Sequence, residues 1–466
     1  MSRYKKLMGN SLLFAVGNLG SKLINIILVP LYTYYLSTAE FGVVDVVQTT
    51  AKMLLPILSL SIFDGVLRFV MDKEEDANAV FTNGVMITTI GSLIALLIYP
   101  ILESFKLLDG LMGYMIIILI LQAYQSLFAQ FSRAIGAIKA FAINGLLMAL
   151  VTGLMNVLLL VQFDMGINGY LLSMVIANLF SIFFLSIAVK GHSYFKVKTI
   201  NKTLIKKMLI YSIPLIPNAF MWWVINASNR YFIVFFIGAS ANGLFAVASK
   251  IPTLLSVLNT IFFQAWQLSA IEEFESKEKS KFFSEVFSYF QMVMLLGASA
   301  IIVIIKLAMQ FFVAPEYYTA WQYIPFLLLG VVFSSYSGFI GANYIAAKET
   351  KGVFKTSVIG GIINLIANVI LIPLIGINGA GLATMISFFA MWVLRVIDTK
   401  KFINLKVNVM NLVLNLGVIF LQTYVLFINL NITTNLIVQS LLFIVLLVVN
   451  KSLWLPVLKL IKQLKK

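Results

Sequence analysis

Apolar runs of about 20 residues or more recur along the whole of this 466-residue chain, separated by short polar gaps. Wound as a helix at ~1.5 Å per residue, a run of that length crosses the ~30 Å hydrocarbon core of a bilayer. Charged residues make up 11% of the chain, against about 25% in an ordinary soluble domain, which is too few to cover a water-facing surface of this size. The chain is expected to be an all-α integral membrane protein, and not a globular enzyme on an anchor. Fourteen spans are predicted, at 8–32, 41–66, 79–101, 111–132, 140–162, 166–189, 207–237, 241–265, 283–305, 321–345, 354–374, 377–397, 408–430 and 434–458. The opening segment, MSRYKKLMGNSLLFAVGNLGSKLINIILVPLYTYYL, is basic and then apolar. It is too long for a signal-peptide core and lacks a cleavage-like ending, so it reads as the first span. Cysteine is absent and His192 is the single histidine; no thiolate or multi-histidine metal site is expected, and no cofactor.

The formal net charge of +16 raises the question of nucleic acid, and the placement of the charges answers it. Of 34 Lys and Arg residues, 28 fall at the two termini and in the even-numbered gaps, including Lys190, Lys196, Lys198, Lys202, Lys206 and Lys207 in the middle gap. The alternate gaps hold Lys106 alone. Basic residues gather on the cytoplasmic side of membrane proteins, so both termini are expected to be cytoplasmic. The charge is topological, and no nucleic-acid partner is expected.

The two halves repeat each other. Gly-Ile-Asn-Gly stands at 166–169 and again at 376–379, each after a helix carrying an asparagine, NVLLLVQFDMGING from Asn156 and NVILIPLIGING from Asn368. LSTAEFGVVDVV (36–47) likewise matches IGASANGLFAVAS (237–249), pairing Gly42 with Gly243. The offset contains six spans, an even number, so the lobes share one orientation and should be related by a pseudo-twofold axis along the membrane normal, with a cleft between them. The expected domains are an N-lobe at 1–190, a basic cytoplasmic linker at 191–206, a C-lobe at 207–402, and spans 13 and 14 within 403–466. Asn156 and Asn368 are expected to hydrogen-bond between helices, not to bind an ion.

Five basic residues interrupt the spans or their ends: Lys22, Lys52, Arg230, Lys250 and Lys306. Each charge at depth costs ~2.5–3.5 kcal/mol unless it meets water, a partner or a ligand. Lys306, at an outer span end, is expected to snorkel to the interface. The other four fall on the first two spans of each lobe, and the repeat sets Lys250 within one turn of the position matching Lys52. On span 2, Asp45, Gln48, Lys52 and Ser59 share one stripe; on span 8, Ser249, Thr253, Ser256, Thr260 and Gln264 form another beside Lys250. Both stripes are expected to face a watery cavity. The bland alternatives remain at this stage: Lys52 paired with Asp45 or another carboxylate, Lys22 and Arg230 snorkelling, Asp64 and Arg68 joined as an i,i+4 ion pair. Trp321 and Trp454 read as interface anchors, and EEFESKEKSK (272–281) as a solvated loop. Four cations against Asp45 and Asp64 leave the expected cleft electropositive, which favours an anionic substrate such as a pyrophosphate over a cationic drug.

SIPLIPNAFMWWVINASNRYFIVFFIGASANGLFAVASKIP (212–252) resembles the span 7–8 signature of polysaccharide-unit (Wzx-like) flippases. These form a branch of the multidrug/oligosaccharidyl-lipid/polysaccharide exporter superfamily. VPLYTYYLSTAEFGVVDVVQT (29–49) and LSIFDGVLRF (60–69) resemble its span 1–2 region, and the six-plus-six-plus-two plan matches over essentially the whole chain. The chain departs from the pattern at Asn229-Arg230, where the family often carries Asp-Arg, which puts any coupling role of that aspartate in doubt. The resemblance implies a flippase, not an enzyme, that moves undecaprenyl-pyrophosphate-linked oligosaccharide across the bacterial plasma membrane by alternating access. It implies Lys22, Lys52, Arg230 and Lys250 as cavity cations, coupling or gating roles for Asp45, Asp64, Arg68 and Asn229, and a lipid-tail groove formed with spans 13 and 14. Implied partners are membrane lipids and the polymerase and glycosyltransferases of the same pathway, the flippase itself acting as a monomer. Pro214 and Pro217 break the backbone of span 7 and suit either a hinge or a static kink. Rival readings are a lipid II flippase of the same architecture, a multidrug or cation exporter, which predicts a carboxylate-dominated cavity, and a polysaccharide polymerase. The outer gaps YYLSTAEFG, FDMGING, IGASANG and LIGING leave a polymerase no room for a catalytic loop.

Overall fold

The computed structural model describes residues 20–72, 75–105, 108, 110–347 and 351–455, and among them the chain forms helices and turns without a strand. Leaving aside one-turn helices, the chain order begins α1 (Val29–Tyr35), α2 (Thr38–Leu58), α3 (Ile62–Asp72), α4 (Ala77–Ser104), α5 (Met112–Ala134), α6 (Ile138–Asn156) and α7 (Gly166–Ala188). It continues through α8 (Lys202–Ser212), α9 (Leu215–Phe236), α10 (Ala239–Ala248), α11 (Pro252–Glu272), α12 (Lys279–Phe312) and α13 (Ile324–Ala346). It ends with α14 (Lys351–Ile375), α15 (Ile377–Asp398), α16 (Val409–Phe427) and α17 (Ile432–Val449). Among the described residues, twelve helices are long and apolar enough to cross a membrane, or up to thirteen if α10 and the start of α11 are taken as one bent span. The protein is an all-α, multi-pass membrane protein. Of the first predicted span, residues 8–19 lie outside the described residues; from residue 20 the chain is helical up to a turn at Leu28.

Polar caps set where many of these helices begin. Ser37 and Glu40 form a capping box on α2: the Ser37 hydroxyl accepts from the Glu40 backbone N–H at 3.3 Å, and Glu40 Oε2 accepts from the Ser37 backbone N–H at 2.9 Å. Asp76, Asn201, Asn408 and Asn431 accept from backbone N–H groups at the starts of α4, α8, α16 and α17.

Three predicted spans are interrupted. Span 2 is two helices: α2 stops at Leu58, and Leu60 and Ser61 take left-handed φ of 50° and 51° before α3 begins. Pro56 prepares that stop, since it cannot donate to the carbonyl of Lys52 four residues earlier. Span 7 breaks at Ile213–Pro214, between α8 and α9. Span 8 is α10 and α11, bent by 44° across residues 249–251.

By internal contacts the chain divides into two compact units, Met1–Trp223 and Val224–Lys466, and the boundary falls inside α9, beyond the basic linker. In the first unit, Ile62 and Val66 of α3, Phe81 and Ile87 of α4, Leu127 and Phe131 of α5 and Met208 of α8 share one buried core. The linker is therefore docked as well as solvated. Thr82 donates to the Tyr194 carbonyl at 3.3 Å, Asn83 Oδ1 accepts from the Asn201 backbone at 3.2 Å, and Lys207 pairs with Glu75 at 2.9 Å. The second unit is aromatic: Trp266 stacks on Phe339 with ring centroids 4.1 Å apart and donates its indole N–H to the Phe339 carbonyl at 3.2 Å. In the same unit, α16 and α17 are joined by buried amides, Asn450 donating to Asn415 Oδ1 at 2.6 Å. Ser299 of α12 donates to Gln422 at 2.7 Å.

Candidate functional site

Two of the four cations expected from the sequence lie in each unit. In the first, Lys22 is half-buried in the helical stretch before Leu28, and Lys52 is exposed on the unbroken α2, one residue past the buried Ala51. In the second, Lys250 is half-buried within the 44° break between α10 and α11. There its backbone N–H donates to Val247 at 3.0 Å and its carbonyl accepts from both the backbone and the hydroxyl of Thr253. Arg230 is half-buried on α9, its guanidinium 5.7 Å from the centre of the Phe245 ring, a cation–π distance that offsets part of the cost of depth.

The α2 stripe departs from expectation at Gln48 and Ser59. Gln48 donates to the Tyr170 hydroxyl at 2.9 Å, and the charge of half-buried Asp45 also acts on Tyr170, so this part of the α2 stripe turns into its own unit. Ser59 is buried and donates to Leu55 at 2.7 Å. In the span-8 stripe, Ser249, Ser256 and Thr260 all donate back to carbonyls of their own span, at Phe245, Pro252 and Ser256. Hydroxyls that bond back in this way satisfy themselves and favour bending, which is what the span does.

Each unit also holds a polar interior built on its copy of the repeat. Gly166 and Gly376 both take left-handed φ, 52° and 63°, a conformation that costs other residues about 1–2 kcal/mol. Gly169 and Gly379 both press on the preceding helix: a Cβ at Gly169 would stand 3.1 Å from the Leu159 carbonyl oxygen, and one at Gly379 2.4 Å from that of Leu371. In the first unit, Asn156 Nδ2 donates to the Tyr32 hydroxyl at 3.4 Å, and the Tyr32 ring meets Tyr170 edge-on at 4.8 Å. In the second, Asn368 Nδ2 donates to Asn229 Oδ1 at 2.7 Å and to Asn364 Oδ1 at 2.9 Å. Asn229 donates to Thr384 at 2.6 Å, Ser228 to Asn364 Oδ1 at 3.1 Å, and Asn364 to Ser387 at 3.1 Å. The expected interhelical roles of Asn156 and Asn368 hold, and Asn229 sits at the centre of a neutral network spanning α9, α14 and α15.

The remaining expected residues are spread more widely. Asp64 on α3 is half-buried and feels the charge of Arg133, whose guanidinium also donates to Gln130 at 2.9 Å; Arg68 is exposed one turn on. Pro214 lies in the break between α8 and α9, whereas Pro217 lies within α9. Trp321 is not a surface anchor: it is 7% exposed, under the Lys306 ammonium at 4.4 Å, with Phe427 at 5.3 Å. Among the described residues there is no group of three His, Cys, Asp or Glu placed to hold a metal ion.

Sequence reading missed Arg395. It is 2% exposed and its fork is fully engaged, with Nε on Thr356 Oγ1 at 3.0 Å, Nη1 on the Ser337 carbonyl at 2.8 Å and Nη2 on Ser357 Oγ at 3.1 Å. It joins α13, α14 and α15 at one point. The signal was there in the adjacent Thr356-Ser357 pair, but position 395 falls at a span end, where a basic residue passes for a topological charge.

Comparison with known proteins places this geometry. The sequence pattern of a family described as "polysaccharide biosynthesis protein" matches residues 7–267. A curated relative, an uncharacterized membrane protein of Methanocaldococcus jannaschii, is 27% identical over 221 residues, 44% of this chain and 43% of the relative. The chain thus spans less than half the length of that curated relative. Among solved structures, the lipid II flippase MurJ in an inward closed conformation superposes with a TM-score of 0.71 at 14% identity, covering 97% of this chain and 99% of that one. An inward-facing multidrug resistance MATE family transporter of the MOP superfamily superposes with a TM-score of 0.70 at 12% identity, covering 82% of this chain and 94% of that one. At these identities the structural likeness is one of fold.

Proposed function

The chain belongs to the polysaccharide biosynthesis protein family, and from that premise we propose that it is a flippase for polyprenyl-pyrophosphate-linked oligosaccharide, working by alternating access. The observation that carries the reading is the family match over residues 7–267, which takes in Lys22, Lys52, Arg230 and Lys250 together. A fold shared with a lipid flippase over 97% of the chain, against 82% for a drug transporter, supports a lipid-borne cargo. Lys22 and Lys52 in the first unit and Arg230 and Lys250 in the second are the candidate counter-charges for a pyrophosphate, each charge-assisted hydrogen bond contributing about 1.5–3 kcal/mol. Asp45, Asp64 and Arg68 serve gating, and Asn229 is a packing residue whose neutral network leaves no carboxylate there for coupling. Pro214 supplies the flexible joint ahead of the helix that carries Arg230, and the protein works as a monomer beside the enzymes that build and polymerise the glycan.

Lys52→Ala and Lys250→Ala are each expected to lower export at least tenfold while membrane insertion stays intact. Normal export by both variants at equal expression removes the pyrophosphate assignment. Deletion followed by lipid analysis tests the cargo: lipid-linked repeat units should accumulate on the cytoplasmic face as surface polysaccharide is lost. The likeness to a lipid II flippase makes peptidoglycan precursor the second reading; unchanged polysaccharide with arrested peptidoglycan export would select it.

A further inference from the structure

The first unit carries an apolar groove of ≈ 430 Å³ between α2, α4 and α5 that ends on α8. Sixteen residues line it and none bears a charge or a hydroxyl. Along α4 it runs from Met86 and Ile87 to Leu102, and fifteen residues of helix at ~1.5 Å each make ~22 Å. One leaflet of a ~30 Å hydrocarbon core is only ~15 Å deep. Ile90, Ile94 and Ile98, on successive turns of α4, are about half exposed along it. At its α8 end, Ile205 and Leu209 belong both to this groove and to a second hollow of ≈ 490 Å³ that reaches the exposed Lys202 and Lys206. Those two lysines are one turn apart on the same face, in the gap that the positive-inside rule places at the cytoplasmic headgroups.

An apolar channel longer than a leaflet, closed at one end by two ammonium groups, fits a lipid with one phosphate and a chain too long to stop at the midplane. Resting on the flippase reading, we infer that this groove seats the isoprenoid chain of a polyprenyl-phosphate lipid, with the phosphate on Lys202 and Lys206. An ordinary phospholipid matches the charge but not the length. The site gives α8 a role: it packs through Leu204 and Met208 on the first unit's core and leads through Ile213–Pro214 into α9, which carries Arg230. Lipid held on α8 is therefore held at the start of that helix.

The test is photo-crosslinking on the full-length protein in nanodiscs of phosphatidylcholine, with a polyprenyl phosphate bearing a diazirine along its chain. Label is expected on residues 86–102 and 205–209, competed by unlabelled polyprenyl phosphate and not by equimolar phosphatidylglycerol. Ala95→Trp, which fills the groove, should cut labelling at least fivefold; Ala95→Leu, a milder filling, should cut it less, in a protein that remains monodisperse. Lys202→Glu with Lys206→Glu should weaken labelling by the phosphate lipid tenfold while leaving labelling by the uncharged diazirine polyprenol unchanged. Label confined to α16 and α17, or equal competition by phosphatidylglycerol, overturns the assignment. Binding and transport separate the two readings. Correct labelling without flipping of lipid-linked glycan in vesicles would sink the flippase and leave the groove; flipping without this labelling would do the reverse.

Discussion

The two copies of the repeat place the same Gly-Ile-Asn-Gly motif after helices that end differently. In the first unit α6 relaxes into a π-helical stretch, Val157–Gln162, before Gly166, and Asn156 reaches a single tyrosine at 3.4 Å. In the second, α14 runs as unbroken helix to Ile375 with Pro373 inside it, and Asn368 anchors a run of short amide and hydroxyl bonds. The second spans invert the pattern. α2 is continuous past Lys52, while its counterpart breaks at Lys250. Gly169 lies against a carbonyl of the π stretch and Gly379, more closely, against Leu371 of regular helix. The repeat thus conserves where helices touch and varies which of them can bend.

The largest effect expected from that contrast is at the two closing glycines. Gly379→Ala drives a methyl to 2.4 Å from backbone atoms that cannot yield, and should cost about 3 kcal/mol, the upper end of overpacking. Gly169→Ala meets the Leu159 carbonyl oxygen at 3.1 Å and the Met165 Cβ at 2.9 Å, beside a π stretch with room to adjust, and should cost about 1–2 kcal/mol. Thermal unfolding in detergent, followed by tryptophan fluorescence, ranks them. Equal losses would mean that the π stretch is as rigid as the helix it replaces.

Next come the asparagines. Asn368→Ala strips a donor from Asn229 Oδ1 and another from Asn364 Oδ1, both buried, and should lower stability by about 2 kcal/mol. Asn156→Ala gives up one long interhelical bond to Tyr32 and a local bond at 2.8 Å to the Thr152 carbonyl of its own helix, and should cost about 0.5 kcal/mol, near the mean for polar pairs between membrane helices. The same unfolding assay reads both, and a reversed order would show the first unit's aromatic contacts to be the more polar-dependent.

How far all this was legible in the sequence follows from the kind of signal each feature leaves. Helix type and the repeat were plain, because apolar length and Gly-Ile-Asn-Gly are local patterns with a direct steric meaning. The bonding of Asn156 and Asn368 was legible too, since an amide in an oily span has few other uses. The break at Leu60-Ser61 was hidden: neither residue is one that favours left-handed φ, and the turn is imposed by Pro56 upstream together with the close approach of Gly91 to the Leu58 carbonyl. The stripe on span 2 misled at Gln48 and Ser59, because periodicity gives an azimuth and not what lies opposite. Arg395 was hidden by its position at a span end.

A smaller effect is expected where the second spans begin. Ser37→Ala removes the capping box of α2 and should cost about 1 kcal/mol, whereas α10 starts after Gly238 at φ 124° with no side-chain cap to lose. Amide hydrogen exchange should therefore speed up in the first turn of α2 to something near the rate already present in α10. Unchanged exchange would mean that packing of Phe41, not the cap, holds that turn.

The smallest effect separates two causes of the bend at Lys250. Pro252 is the obvious suspect, but it opens α11, a position whose N–H has no helical partner to lose, so the proline there is permitted and not disruptive. The hydroxyls of Ser249 and Thr253 bond to the Phe245 and Lys250 carbonyls, which also accept the Ser249 and Thr253 backbone N–H groups, so each carbonyl beside the break is shared between two donors, an arrangement that favours bending. Pro252→Ala should accordingly shift stability by no more than about 0.5 kcal/mol and leave the bend in place, while Ser249→Ala with Thr253→Val should straighten it. Pulsed-EPR distances between spin labels at 244 and 258 distinguish the outcomes: a lengthening in the proline variant alone would return the break to Pro252. It would also bring the break into line with the end of α2, which stops two residues after Pro56.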